Sequence, residues 1–220
     1  MWGPLVATCT LGLLLSLFAV IATVCSCGQK ATDDTLWEIA LAEDSRLLPA
    51  ESLDKWIASP DSTVRARMAY AIGIVGEIVT FDKLRQLLLD DCEYVQLAAS
   101  FAAGQVADTA SQDQLVTLSK SINPEVRKSA LDALSKLGTQ SASSRLSEVL
   151  NDNNEMSTIR ALAAQWMFRL KDEPSGNALI GQAMSTDDAV RERVYYSLMR
   201  RSLKDAQPIF LLGLNDKVEQ

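Results

Sequence analysis

The chain has 220 residues, of which 48% are hydrophobic, 22% charged and only 6% aromatic, with 10 glycines and 6 prolines. This mix suits close-packed helices and supplies too few turn residues to punctuate the many short strands of a sandwich or barrel. A net charge of −7 argues against a phosphate-neutralising nucleic-acid surface, and the absence of histidine removes the commonest general base and metal ligand near neutral pH.

Residues 1–29 carry no charged side chain, and 5–26, LVATCTLGLLLSLFAVIATVCS, are almost wholly apolar. About 22 residues at 1.5 Å each suffice to cross a bilayer. At the end of the segment Val24-Cys25-Ser26-Cys27-Gly28 resembles a bacterial lipobox: an aliphatic residue, a variable one, a small one, then the lipidated cysteine. That resemblance implies lipidation at Cys27. With Gly28 rather than aspartate following, it also implies an outer-membrane lipoprotein facing the periplasm of a bacterial envelope. The opening MWGP lacks the Lys or Arg of an ordinary signal peptide, so a retained single-span anchor is the alternative, and a buried apolar helix a third reading. The chain therefore divides into a signal or membrane anchor (1–26), a small polar tether (27–34) and a helical-repeat domain (35–220).

The segment LWEIALAEDSR (36–46) predicts an unpaired helix covering one end of that domain. Beyond it, a branched aliphatic residue followed by a long polar one recurs at Val64-Arg65, Val95-Gln96, Val126-Arg127, Ile159-Arg160 and Val190-Arg191, at spacings of 31, 31, 33 and 31 residues. Counting from each aliphatic residue, positions 0, 4, 7, 8 and 11 are mostly apolar or small, which is the periodicity of a helix with one buried face. Small residues in the middle of that face let neighbouring helices approach closely. Asp61, Asn123 and Asp187 stand where an N-cap belongs, and Pro124 occupies the first turn. Cys92 holds the equivalent place in the second block. In the fourth, Met156 does, so Ser157 or Thr158 is expected to cap a shifted start.

Shorter apolar-periodic stretches at 52–58, 81–89, 112–120, 143–150 and 177–184 predict a second, shorter helix in each unit, and 208–215 opens a sixth unit. The fold expected is all-α: a right-handed α-solenoid of about five and a half helix-turn-helix repeats.

Asp61, Val64, Arg65, Ala71, Ile72, Gly73 and Gly76 fit the pattern D-x-x-V-R-x-x-A-x-x-A-L-G-x-L-G, which resembles the HEAT-like repeats of phycobilisome lyases. The resemblance covers roughly 36–216. It implies that Asp61, Arg65, Gln96, Arg127, Arg160, Asp187 and Arg191 form a structural ladder between adjacent repeats, and that the longer helices line the concave, binding side.

No catalytic, metal or cofactor site emerges. Cys92 has no histidine to activate it, and the pairs Asp33-Asp34, Asp90-Asp91 and Asp187-Asp188 sit at helix starts. The stretch NDNNE (151–155) lacks the calcium-loop pattern, and Gly73-x-x-Gly76 reads as a helix end rather than a phosphate loop. The basic run Arg191, Arg193, Arg200, Arg201 and Lys204 suits an acidic partner or lipid head groups, or simply a solvated face. Positions 2, 6 and 9 of each block are expected to point away from the core. They place Tyr70 and Phe101, then Phe168, Tyr196 and Met199, as partner-binding residues; the alternative is that superhelical twist buries them.

The function expected is a non-enzymatic, membrane-tethered scaffold or adaptor that binds another protein. Alternatives are a lyase-type or chaperone module acting on a partner protein, and a self-associating structural envelope protein.

Overall fold

A computed structural model describes residues 33–201 and 209–211, and every regular element among them is helical. The helices are α1 (Asp33–Asp44), α2 (Ala50–Ile57), α3 (Ser62–Val75), α4 (Phe81–Leu87), α5 (Glu93–Val106), α6 (Gln112–Leu118), α7 (Pro124–Leu137), α8 (Gln140–Asn151), α9 (Ser157–Trp166), α10 (Glu173–Gly181) and α11 (Asp188–Arg201). Single 3-10 turns occupy Ile78–Thr80, Thr109–Ser111 and Met167–Arg169. The chain is an α-solenoid whose repeats pair α2 with α3, α4 with α5, α6 with α7, α8 with α9 and α10 with α11. Helix α1 covers one end and starts at Asp33, inside the stretch expected to be tether. The apolar segment 5–26, Cys27, Lys204 and most of 208–215 lie outside the described residues.

Local chemistry sets the helix starts. The Asp61 carboxylate accepts the Thr63 N–H at 2.7 Å, and the Asn123 side chain accepts the Glu125 N–H at 2.9 Å with Pro124 in the first turn. Asp187 accepts from the N–H groups of Ala189 and Val190. Each of these satisfies an amide that the helix itself leaves unpaired. Helix α9 departs from expectation: it begins at Ser157 with Met156 as its N-cap, and no side chain caps it. The Met156 N–H meets Glu155 Oε1 at 2.9 Å, which fixes the entry to the helix, while the Ser157 side chain hydrogen-bonds Asp187 of the next repeat rather than capping α9.

Helices α3 and α7 end on Gly76 (φ 74°) and Gly138 (φ 64°), both left-handed, whereas α5 ends on Ala107 at φ 52°. The first helix is not always the shorter one. Helix α8 has 12 residues against 10 in α9, because Thr139 caps a Ser-rich start by accepting the Ala142 N–H, and because α9 tightens into the turn Met167–Arg169.

The core runs between the two helix layers. Ile72, Leu84, Leu115, Leu131, Leu134, Leu146, Leu150 and Ile159 are fully buried, each contributing about 1.5–3 kcal/mol of apolar burial. The longer helices also pack directly on one another. A Cβ built on Gly73 would lie 2.9 Å from both Cα and Cβ of Ala102, and one on Gly104 would lie 2.8 Å from Cα of Ala133. Position 9 faces the next helix in the first three blocks, where Gly73 abuts Ala102 and Gly104 and Ser135 are buried, whereas Met199 at position 9 of the last block is exposed; at position 2, Ala66 and Ala161 are buried. A helix flanked by a neighbour on each side and by the short-helix layer beneath keeps only a narrow strip exposed, mainly positions 6 and 10.

Candidate protein-binding face

That strip crosses the longer helices in register. Position 6 supplies Tyr70, Phe101, Asp132, Gln165 and Tyr196, and position 10 supplies Ile74, Gln105, Lys136, Arg169 and Arg200. At the end nearer α1 the strip is aromatic. The rings of Tyr70 on α3 and Phe101 on α5 lie 5.6 Å apart, tilted by 59°. Phe101 is 37% exposed and Tyr70 is half-buried. Burial, and then the nearby Tyr94, push the Tyr70 phenol above its usual pKa, so it stays a neutral hydrogen-bonding group. Ile74 remains exposed beside this pair on the same helix.

Towards α11 the strip gains positive charge. Lys136 Nζ stands 5.2 Å from the centre of the Phe101 ring and pairs with Asp132 at 2.7 Å. Asp132 is shared: Arg169 Nη1 donates to it at 2.9 Å and to Ser135 Oγ at 2.7 Å. The Arg169 guanidinium also lies over Phe168 at 5.2 Å. Phe168 and Tyr196 meet edge to face at 6.0 Å, and Arg200 covers both rings, 4.9 Å from Phe168 and 5.9 Å from Tyr196. Such cation–π contacts hold each cation at the surface without neutralising it. Met199 is 61% exposed on α11.

The expected partner residues thus form two ring pairs, Tyr70 with Phe101 and Phe168 with Tyr196. Of the three cations of position 10 that join them, Arg200 belongs to the basic run singled out from the sequence, while Lys136 and Arg169 escaped that reading. Their signal was a column of Lys136, Arg169 and Arg200, visible once position 10 is aligned as carefully as position 6. The run singled out on α11 is mixed: Arg201 is half-buried, donating to Ser175 Oγ and to the carbonyls of Asp172 and Met167, and burial holds its pKa below the usual value.

The ladder residues lie on the opposite edge, at the turns joining each helix pair. Arg65 donates to Ser59 O at 2.8 Å and to both carboxylate oxygens of Asp90 at 2.6 and 2.8 Å. Gln96 reaches Asp90 O at 2.7 Å. Arg127 donates to Ser121 O at 2.9 Å and to Glu155 at 2.8 Å; Arg160, buried, reaches Leu150 O; Arg191 reaches Ser185 O at 2.7 Å. The acids met by Arg65 and Arg127 come from the turn of the following repeat. Asp61 and Asp187 cap their own helices, and a hydrogen bond from Ser157, in the preceding repeat, leads the causes that hold the Asp187 carboxyl below its usual pKa.

Cys92 is buried at the start of α5. Among the described residues no three His, Cys, Asp or Glu side chains converge as metal ligands, and no helix is long and apolar enough to cross a membrane. Three concavities among the described residues are open to solvent: one of about 430 Å³ beside Arg65 and Asp90, one of about 410 Å³ between Asp54 and Lys83, and one of about 230 Å³ beside Asp172 and Arg201.

Comparison with known proteins agrees with this geometry. The family model of HEAT repeats matches residues 81–166, from α4 through α9. No curated protein matches the sequence. Among solved structures, the chain is similar to an engineered protein from the Northeast Structural Genomics Consortium, at 20% identity over 82% of this chain and 87% of that one, with a TM-score of 0.53. It is also aligned with human deoxyhypusine hydroxylase in complex with glycerol, at 14% identity over 87% of this chain and 99% of that one, with a TM-score of 0.40. The first of these likenesses concerns the fold. HEAT repeats generally mediate protein–protein interaction, and their stacked helices offer extended surfaces for it.

Proposed function

We propose that this protein is a non-enzymatic, membrane-tethered scaffold that captures another protein on the exposed strip of its longer helices. The observation that carries the reading is the in-register row of two aromatic pairs and three cations across five successive helices. Rings and arginines in a continuous surface row are the residue types that dominate protein interfaces, and surface rings are costly to leave in water without a partner. The membrane tether rests on the sequence alone, on the apolar run 5–26 and the lipobox-like Val24–Cys27. It would place the captured protein at the envelope.

A crosslinking pull-down from the native host, with the chain tagged after Gln220, tests the capture. Y70S combined with F101S is expected to lose the dominant captured protein while keeping the helical circular-dichroism spectrum. Unchanged capture would overturn the face. Metabolic labelling with a radioactive fatty acid is expected to mark the parent chain and not Cys27→Ala; an unlabelled parent in the membrane fraction would overturn lipidation in favour of a single-span anchor.

A further inference from the structure

We infer that the two ends of the solenoid are complementary and that copies of this chain join head to tail, α11 of one copy packing on α1 of the next. Among the described residues α3, α5, α7 and α9 each have a long neighbour on both sides, whereas α1 and α11 have one on a single side. On α1, Ile39, Ala42 and Glu43 are buried, and Glu43 pairs with Arg67 of α3. Residues on a helix are turned by about 100° from one to the next, so Trp37 and Leu41 lie on the side of α1 away from α3. They are 65% and 50% exposed and point out of the end of the stack. At the other end Met199 is exposed at position 9, the place where Gly73 and Gly104 abut the next long helix. Leu211, in the helical stretch 209–211, is exposed as well. The end units of a solenoid stay apart by carrying polar outer faces, and both of these carry large apolar side chains.

Shape and charge both specify a second copy. The side of α11 that carries Met199 is the side that α3 and α5 turn to their next neighbour, so α1 of another copy would meet α11 as α5 meets α3. Trp37 and Leu41 stand one turn apart with the small Ala40 between them, a groove that the unbranched Met199 side chain can fill. Helix α1 has no basic residue, and its Asp34, Glu38 and Asp44 are exposed. Helix α11 has four arginines against two acids, and among the described residues Arg200 meets only the rings of Phe168 and Tyr196. Joining like ends would set acid against acid or arginine against arginine, whereas joining unlike ends sets acids against arginines. Such pairs already cross two junctions inside the chain, Glu43 with Arg67 and Asp132 with Arg169. A contact between unlike ends leaves one end of each kind open, so copies add one after another. The strip of positions 6 and 10 stays uncovered in such a row and continues from copy to copy, which multiplies the binding face.

The test is disulfide trapping with the full chain in an uncharged detergent. Cys9, Cys25 and Cys27 are replaced by serine, which leaves the buried Cys92 as the native thiol. Chains carrying Leu41→Cys and chains carrying Met199→Cys are oxidised in air with a copper catalyst, separately and as a mixture. The mixture is expected to give a crosslinked dimer on a non-reducing gel, and each chain alone to stay single. L41C and M199C in one chain should give a ladder of higher multimers. Light scattering of the parent should show a mass that rises with concentration. W37S with L41S should need about tenfold more protein to reach the same mass, and raising salt from about 0.05 to 0.5 M should shift it the same way. Dimers trapped within the separate samples as readily as in the mixture would show like ends meeting and overturn the head-to-tail order. No trapped dimer in the mixture, with a single-chain mass at every concentration, overturns the inference. Y70S with F101S, which tests the binding face, is expected to leave trapping unchanged, so the two proposals fail separately.

Discussion

Arg65 grips Asp90 with two parallel hydrogen bonds while its remaining nitrogen closes on the Ser59 carbonyl, so one side chain ends α2, positions α3 and holds the turn after α4. Both partners are largely shielded from water, which makes this pair worth more than an exposed one. Arg65→Ala is expected to lower unfolding free energy by about 1.5–3 kcal/mol in a urea titration. Arg65→Lys should recover only part of that, since an ammonium cannot form the two-pronged contact.

Three substitutions separate packing from backbone conformation. Gly104→Ala drives a methyl to 2.8 Å from the Ala133 backbone and should cost about 1–3 kcal/mol. Gly181→Ala meets nothing within 4 Å and should stabilise by about 0.5–1 kcal/mol. Ala107→Gly relieves a left-handed alanine and should gain about 1 kcal/mol. Thermal melts of the three, ranked in that order, check the assignment.

Acid should loosen the junction of α8 with α10 only as pH falls below the usual carboxylate range. Burial works against ionisation of Asp172, but hydrogen bonds from Ser143 at 2.6 Å and from the Ser175 N–H and hydroxyl at 2.9 Å outweigh it and hold the carboxyl below its usual pKa. A carboxyl depressed in the folded state stabilises fully above its unfolded value, about 3.9, and that contribution disappears as pH falls through the lower folded value. Stability measured between about pH 5 and 2 should therefore decline less steeply in Ser143→Ala than in the parent.

Because each repeat touches chiefly its neighbours, damage in the middle should divide the molecule. Leu134, fully buried on α7, is the place to apply it. Leu134→Ala should cost about 2–5 kcal/mol and split a single calorimetric transition into two. One sharp transition at lower temperature would show that the stack unfolds as a unit.

The longer helices were legible because Val64, Val95, Val126, Ile159 and Val190 are all buried anchors, and Asp61, Asn123 and Asp187 cap three of the five starts. The start of α9 was misread because the Ser157 side chain hydrogen-bonds Asp187 of the next repeat instead of a helix N–H, a long-range pairing that no local rule reveals. The outward direction of position 9 was misread at Gly73, Gly104 and Ser135, though not at the exposed Met199, for a different reason. Periodicity within one helix cannot say which flank a neighbour covers, and glycines at 73 and 104 fit an exposed helix end as well as a close approach. Rings at Tyr70 and Phe101 stood out by type, whereas Lys136 and Arg169 did not, since surface cations are common and only their alignment across repeats gives them meaning.

The contact of Gly73 with Ala102, and of Gly104 with Ala133, also shapes the stack. Bare backbone separates α3 from α5 and α5 from α7, while leucines such as Leu84, Leu115 and Leu146 fill the layer of shorter helices. The repeats carrying Gly73 and Gly104 are then wedges, thin where glycine sits and thick where leucine does, and wedges laid side by side curve the stack. A chain resting along the inside of that curve would meet successive repeats at a shorter interval than one passing over the outside. The same glycines that let the helices touch would thereby set the ruler against which a bound segment is measured.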